Sequence, residues 1–178
     1  YMGGFFVIPQ VLGERGLGLS ITTVGNLVIP RPLAYSLVAP LAAIVTVKVG
    51  ERIAGVAGSV ALVASMLMWA AVGLDSGYLF IIVATALSGV GLGISSPALT
   101  ALMAGSVDAA DLGVAGAMQQ LMTQLGAVLG AAVMATISAS ADVNDFWPFH
   151  LAFLVAGGVA AAGGVCAAFV RSSGRAPA

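Results

Sequence analysis

Three stretches of this chain, Ile53 to Leu74, Tyr78 to Ala104 and Gly113 to Ser138, run without a single charged side chain. That feature decides what the chain can fold into. A helix of about 20 apolar residues crosses the hydrocarbon core of a bilayer, and in lipid every backbone N–H and C=O must be satisfied within the protein. Only helices and closed barrels meet that demand. A barrel strand alternates apolar and polar residues one by one, whereas these stretches show long apolar runs without that alternation. The fold class expected is therefore all-α, a polytopic transmembrane helix bundle. Composition agrees: 60% of the residues are hydrophobic and 7% charged, against about 25% charged in a soluble domain.

Reading apolar runs against their polar breaks predicts about six helices. The first is a short one ending near Leu12, followed by Ser20 to Val47, Ile53 to Leu74, Tyr78 to Ala104, Gly113 to Ser138 and Phe149 to Val170. The run from Tyr1 to Leu12 is too short to cross a bilayer, and Tyr1 follows no initiator Met, basic segment or cleavage site. The expectation is a first helix truncated at its start, with sequence missing upstream. Short connections make sequential neighbours antiparallel, so residues 1–170 are expected to form one bundle, followed by a polar tail over 171–178.

Orientation follows from basic residues, which cytoplasmic loops retain. Lys48 and Arg52 share one loop, Arg171 and Arg175 lie in the tail, and four predicted spans separate the two groups. All four charges then fall on one side, which places the C-terminus in the cytoplasm and, in a bacterial-type cell, the protein in the inner membrane. Arg15 alone lies in a loop on the other face, with Asp75, Asp142 and Asp145. Trp147 and Tyr78 begin helices there, where amphipathic rings favour the headgroup level. His150, the lone histidine, sits beside Trp147 and reads as interfacial rather than as a proton shuttle.

Several function classes are disfavoured by composition alone. A net charge of −1 with six scattered basic residues offers no patch to neutralise a row of phosphates, so nucleic acid is not an expected partner. Cys166 is the single cysteine, which rules out an internal disulfide and a cysteine metal site; no cofactor is expected. Gly89-Val-Gly91-Leu-Gly93 is not the G-x-G-x-x-G of a nucleotide loop, and no strand precedes it.

Polar residues inside the spans are the candidates for function. All seven acids, Glu14, Glu51, Asp75, Asp108, Asp111, Asp142 and Asp145, lie in loops or at helix ends, so a proton-coupling carboxylate, if the protein uses one, belongs to sequence upstream. Arg31, in Pro30-Arg31-Pro32, is the one charge inside a span. It either faces a wet cavity and attracts an anionic or polar group, or snorkels outward where the prolines loosen the helix. In the span from Gly113 to Ser138, Gln120, Thr123 and Gln124 fall with Gly113, Gly116 and Ala127 in a sector of roughly 100°. Two glutamines facing hydrocarbon would be costly, so this stripe faces a neighbouring helix or, as we read it, a central cavity. Thr85, Ser88, Ser95 and Ser96 make a similar stripe in the preceding span, where Pro97 permits a bend. Asn26 is a weaker candidate. Ile53 to Leu74 and Phe149 to Val170 hold almost no polar side chain beyond Ser59 and Ser65, and read as lipid-facing scaffold.

Three stretches carry a resemblance. Pro9-Gln10-Val11-Leu12-Gly13 with Gly18-Leu19 and Pro30, then Gly89 through Pro97, then Gly113-Val-Ala-Gly116 through Gln124-Leu-Gly126-Ala-Val-Leu-Gly130 resemble the first, fourth and fifth helices in the C-terminal six-helix half of the major facilitator superfamily. Within that superfamily the chain looks most like the fourteen-span drug:proton antiporters. Lys48, Gly50 and Arg52 fit the family's G-x-x-x-D-R-x-G-x-R gating loop, while Ala43 and Val47 stand where its Gly and Asp belong. The resemblance implies alternating access between two six-helix halves about a midplane site, with the first and fourth helices of this half lining the cavity and the third and sixth facing lipid. It also implies a small-molecule substrate, protons as the coupling ion, no covalent chemistry, and an N-terminal half of the same transporter as partner. A channel or a non-transporting assembly module is the alternative; a channel would need a pore constriction or a charge ring.

Overall fold

The computed structural model describes residues 2–13, 16–139 and 147–169. Every regular element among them is helical: α1 (Met2–Leu12), α2 (Ile21–Val28), α3 (Pro30–Val49), α4 (Glu51–Ala70), α5 (Tyr78–Ala104), a 3-10 turn (Ala109–Asp111), α6 (Leu112–Ser138) and α7 (Trp147–Phe169). Five stretches are long and apolar enough to cross a membrane, with α2 and α3 together counting as one (Ile21–Val49). The protein is a multi-pass membrane protein with an all-α bundle. The expected Arg15 loop, the carboxylates Glu14, Asp142 and Asp145, and the tail with Arg171 and Arg175 lie outside the described residues.

The second span, expected as one helix, is interrupted at Ile29 because Pro30 and Pro32 supply no amide hydrogen to the ladder. The backbone stays helical across the break: Ile29 has φ −52° and ψ −39°, its amide donates to Gly25 O and its carbonyl accepts from Leu33 N. Hydrogen bonds are lost there while the helical path continues. Ser20 caps the start of α2, its hydroxyl accepting from the Thr23 amide at 3.3 Å.

Between α3 and α4 the chain reverses on one residue. Gly50 has φ +90° and ψ 146°, a conformation in which a Cβ is strained. The reversal lets α4 begin at Glu51, whose carboxylate suits a helix N-terminus, a few residues before the expected start at Ile53.

Glycines set the closest helix contacts, because in lipid association depends on packing rather than on escape from water. Gly89 lies against the Arg31 carbonyl and the Ala34 side chain, and Gly93, one turn on, against Val38 and Ala39. Both numbers rise together, so α3 and α5 run in the same direction. Gly91 points the other way and meets Gly58 and Leu62 of α4. Ser65 of α4 donates across this contact to Ala84 O of α5 at 2.8 Å. α4 also packs on α7, with Ser59 against Gly164 and Met66 against Gly157. α1 packs on α6 and α7, whereas α5 packs chiefly on α3 and α4.

The densest core lies at one end of the bundle. There Val7, Ile8, Val11 and Leu12 of α1 meet Trp69 and Val72, Ile81 of α5, and Phe149 and Phe153 of α7. Trp69 stacks on Phe153 with ring centroids 5.5 Å apart, and His150 Nε2 lies 2.8 Å from Val72 O, tying α7 to the end of α4. Ile53, Val60 and Leu67, seven residues apart, form an exposed stripe down α4, an apolar face suited to lipid.

Candidate substrate-facing site

The two polar stripes expected from the sequence end up in different surroundings. Thr85 and Ser88 of α5 are fully buried among the helices. Thr85 Oγ1 donates to Ile81 O at 2.7 Å and Ser88 Oγ to Thr85 O at 2.6 Å, so both hydroxyls are satisfied within their own helix. Ser95 is buried, 3.5 Å from Leu92 O. Ser96 is half-buried, and its carbonyl accepts from Thr100 Oγ1 at 3.1 Å.

On α6, by contrast, Gln120, Thr123 and Gln124 are all exposed. Thr123 Oγ1 donates back to Gln119 O at 2.8 Å, while the amides of Gln120 and Gln124 make no hydrogen bond among the described residues. A Cβ built at Gly113 or Gly116 would meet nothing within 4 Å. The stripe is thus an open polar strip with two amide groups available for bonding, on a helix long and apolar enough to cross a membrane.

One polar link between α5 and α6 was not anticipated: Gln119 Nε2 donates to Thr100 Oγ1 at 3.4 Å. The signal was present in sequence, since Thr100 lies one turn beyond Ser96 and Gln119 adjoins Gln120. Only the facing of the two helices, which no spacing rule supplies, brings them together.

Arg31 is 5% exposed. A side chain snorkelling away from the bundle would be accessible, so protein encloses this guanidinium. Asn26 is exposed on α2, beside the buried Leu27. Lys48 and Arg52 are exposed on either side of Gly50, and the role of Gly50 in that loop is conformational, as its φ requires. Among the described residues the acids Glu51, Asp75, Asp108 and Asp111 all lie at helix ends or in connections, and no group of His, Cys, Asp and Glu is arranged to hold a metal ion.

A slot of about 660 Å³ lies among α4, α5, α6 and α7, with Gly4 of α1 at its wall. Its lining is apolar apart from Ser59 and Ser95. Ser59 Oγ donates to Gly55 O at 2.9 Å, so neither serine hydroxyl is left without a carbonyl partner. Ser95 is the one residue of the expected cavity set that lines this slot.

Comparison with known proteins gives one match: the family model described as Major Facilitator Superfamily matches residues 1–178. No curated protein and no solved structure matches the chain.

Proposed function

Because the chain belongs to the major facilitator superfamily, whose members are transporters rather than enzymes, we propose that it is a secondary active transporter exporting drugs or other small molecules in exchange for protons by alternating access. In this reading residues 1–170 are the C-terminal six-helix half of a longer transporter. They close against the N-terminal half of the same chain. The protein lies in the cell's inner membrane with residues 171–178 in the cytoplasm, and Lys48, Gly50 and Arg52 belong to a gating loop.

The observation that carries the proposal is the open amide strip on α6. Gln120 and Gln124 are polar, exposed and without a described partner on a membrane-spanning helix, and such groups are costly against hydrocarbon. A wet path between two halves relieves that cost and gives the amides a task, hydrogen bonding to a passing solute. Thr123, Asn26 and Ser96 extend the polar surface. Thr85, Ser88 and Ser95 act here through α5, whose packing they help to fix.

The test is proton-coupled efflux of a panel of dyes and antibiotics from inverted vesicles holding the parent chain, comparing wild type with Gln124→Ala and Arg31→Ala. The expected result is efflux that collapses with the proton gradient and a drug profile that changes in Gln124→Ala. Absence of transport for every compound, with both variants inserted normally and indistinguishable from wild type, overturns the drug-efflux reading.

A further inference from the structure

The glutamines of α6, Gln119, Gln120 and Gln124, fall within two turns of helix, and the fold treats them differently. Gln120 and Gln124 are exposed, whereas Gln119 is half-buried together with Ala115 and Gly116, which share its face of the helix. From that face Gln119 Nε2 donates to Thr100 Oγ1 at 3.4 Å. Thr100 Oγ1 in turn donates to Ser96 O at 3.1 Å, and Thr123 Oγ1 donates to Gln119 O at 2.8 Å. A run of hydrogen bonds thus crosses from Ser96 on α5 to Thr123 on α6.

Little else fixes the rotation of this part of α6. The buried residues of the helix are Met134 and Ser138, both near its far end, and between Gly126 and Met134 it borders the apolar slot. Met118, Leu121, Met122 and Leu125 are exposed, and in lipid such side chains gain nothing by turning from hydrocarbon to protein. A polar bond decides instead. Successive residues lie about 100° apart around a helix, so a turn of that size would bring Gln120 to the place of Gln119 and Gln124 to that of Thr123. The same turn would carry the Gln119 amide to the position of Met118, on the exposed apolar face, where an amide is costly.

We propose that Gln119 is the positioning residue of the α6 strip: its bond to Thr100 holds α6 in the rotation that presents Gln120 and Gln124 to the solute path, and thereby sets which solutes move. This rests on the reading of the strip as substrate-facing and adds what keeps it so. Gln119 itself points to α5 and touches no solute. Replacing it by an apolar residue acts twice. The bond to Thr100 is lost, and the turned rotation no longer drives an amide into lipid, so Gln120 takes Thr100 in place of Gln119 and Gln124 leaves the path.

The test uses the parent chain with Cys166→Ala and two cysteine pairs, each read with a short thiol-specific crosslinker. α5 and α6 are joined by a short connection and run antiparallel, so with Thr100 level with Gln119, Met103 is level with Gly116. Met103→Cys with Gly116→Cys reads the native rotation, and Met103→Cys with Ala117→Cys reads the turned one. A Cβ at Gly116 meets nothing within 4 Å, so the thiol there adds no strain. The ratio of the first linkage to the second is expected to fall about threefold in Gln119→Leu, the population shift that one interhelical hydrogen bond in a membrane supplies. It is expected to return toward wild type when Thr100→Val is added, since Gln120 then finds no partner on α5. Gln119→Ala carries the same prediction with a smaller side chain should Gln119→Leu not insert. An unchanged ratio in the Gln119 variant overturns the proposal, and so does a shift that persists with Thr100→Val. In the vesicle assay Gln119→Leu is expected to alter the drug profile as Gln124→Ala does; a shifted ratio with a wild-type profile overturns the positioning role. Crosslinking reads rotation and not transport, so a chain that links as expected but moves no compound refutes the efflux reading alone.

Discussion

The contact between α4 and α5 is tight enough that adding one methyl group should reverse the usual effect of replacing glycine in a helix. An ideal Cβ at Gly58 would lie 2.7 Å from Gly91 O, 2.8 Å from Ser95 N and 2.8 Å from Ser95 Cβ. Two of these atoms belong to the backbone and cannot rotate away, so α4 and α5 must separate. Overpacking of this kind costs about 1–3 kcal/mol, and a clash with backbone belongs in the upper part of that range. The gain in helix propensity from glycine to alanine returns about 1 kcal/mol, leaving Gly58→Ala destabilised by about 1–2 kcal/mol. Gly158→Ala is the matched control: it lies in α7 with nothing within 4 Å of its Cβ, so only the propensity gain applies and its stability should rise. Gly91→Ala should behave like Gly58→Ala, since its Cβ would lie 2.9 Å from Gly58 O. The double variant should lose less than the sum of the two, because helices already parted by one methyl accommodate the second. Thermal unfolding in detergent micelles, followed by tryptophan fluorescence, reads all four proteins. The reasoning is refuted if Gly58→Ala matches Gly158→Ala in sign, or if the two effects on α4 and α5 simply add.

Ser65→Ala removes the bond to Ala84 O and should cost only about 0.6 kcal/mol, typical of interhelical hydrogen bonds in membranes; a Tm loss as large as that of Gly58→Ala would show that the hydroxyl carries more than this one bond. Trp69 is 1% exposed and its Nε1 has no partner among the described residues. Trp69→Phe keeps the stack on Phe153 while removing a buried donor, so it should stay within about 1 kcal/mol of wild type, whereas Trp69→Ala should lose about 3–5 kcal/mol. Denaturant unfolding of the two variants side by side checks this, and equal losses would mean that the indole N–H is satisfied.

Fold class was legible because the bilayer imposes it: a run such as Tyr78 to Ala104 has one viable conformation in lipid, and α5 occupies those residues. Boundaries slipped where backbone chemistry outranked side-chain polarity. Composition starts the third span at Ile53, but the positive φ of Gly50 allows α4 to begin at Glu51. The proline pair announced a weak point in the second span, yet hydropathy could not say that the break costs hydrogen bonds and leaves the direction of the chain unchanged. The glycine run in α5 permits close approach to its neighbours. Its division of labour, with Gly89 and Gly93 toward α3 and Gly91 toward α4, depends on which helices flank α5, and that is tertiary information.

The same limit explains why two stripes that look alike in sequence part company in the fold. A hydroxyl on a helix can satisfy itself against the carbonyl three or four residues back, so Thr85 and Ser88 can sit in a fully buried contact at no polar cost. A glutamine amide carries both donors and an acceptor, and self-bonding leaves part of that capacity unused. In a membrane helix the serines and threonines are therefore compatible with packing or with a cavity, whereas a pair such as Gln120 and Gln124 demands an external partner. Spacing alone treats the two sets as equals. The bonding capacity of the side chains separates them, and it directs the functional test to α6, where Gln124→Ala should alter which solutes move while leaving the α4–α5 contact at Gly58 and Gly91 intact.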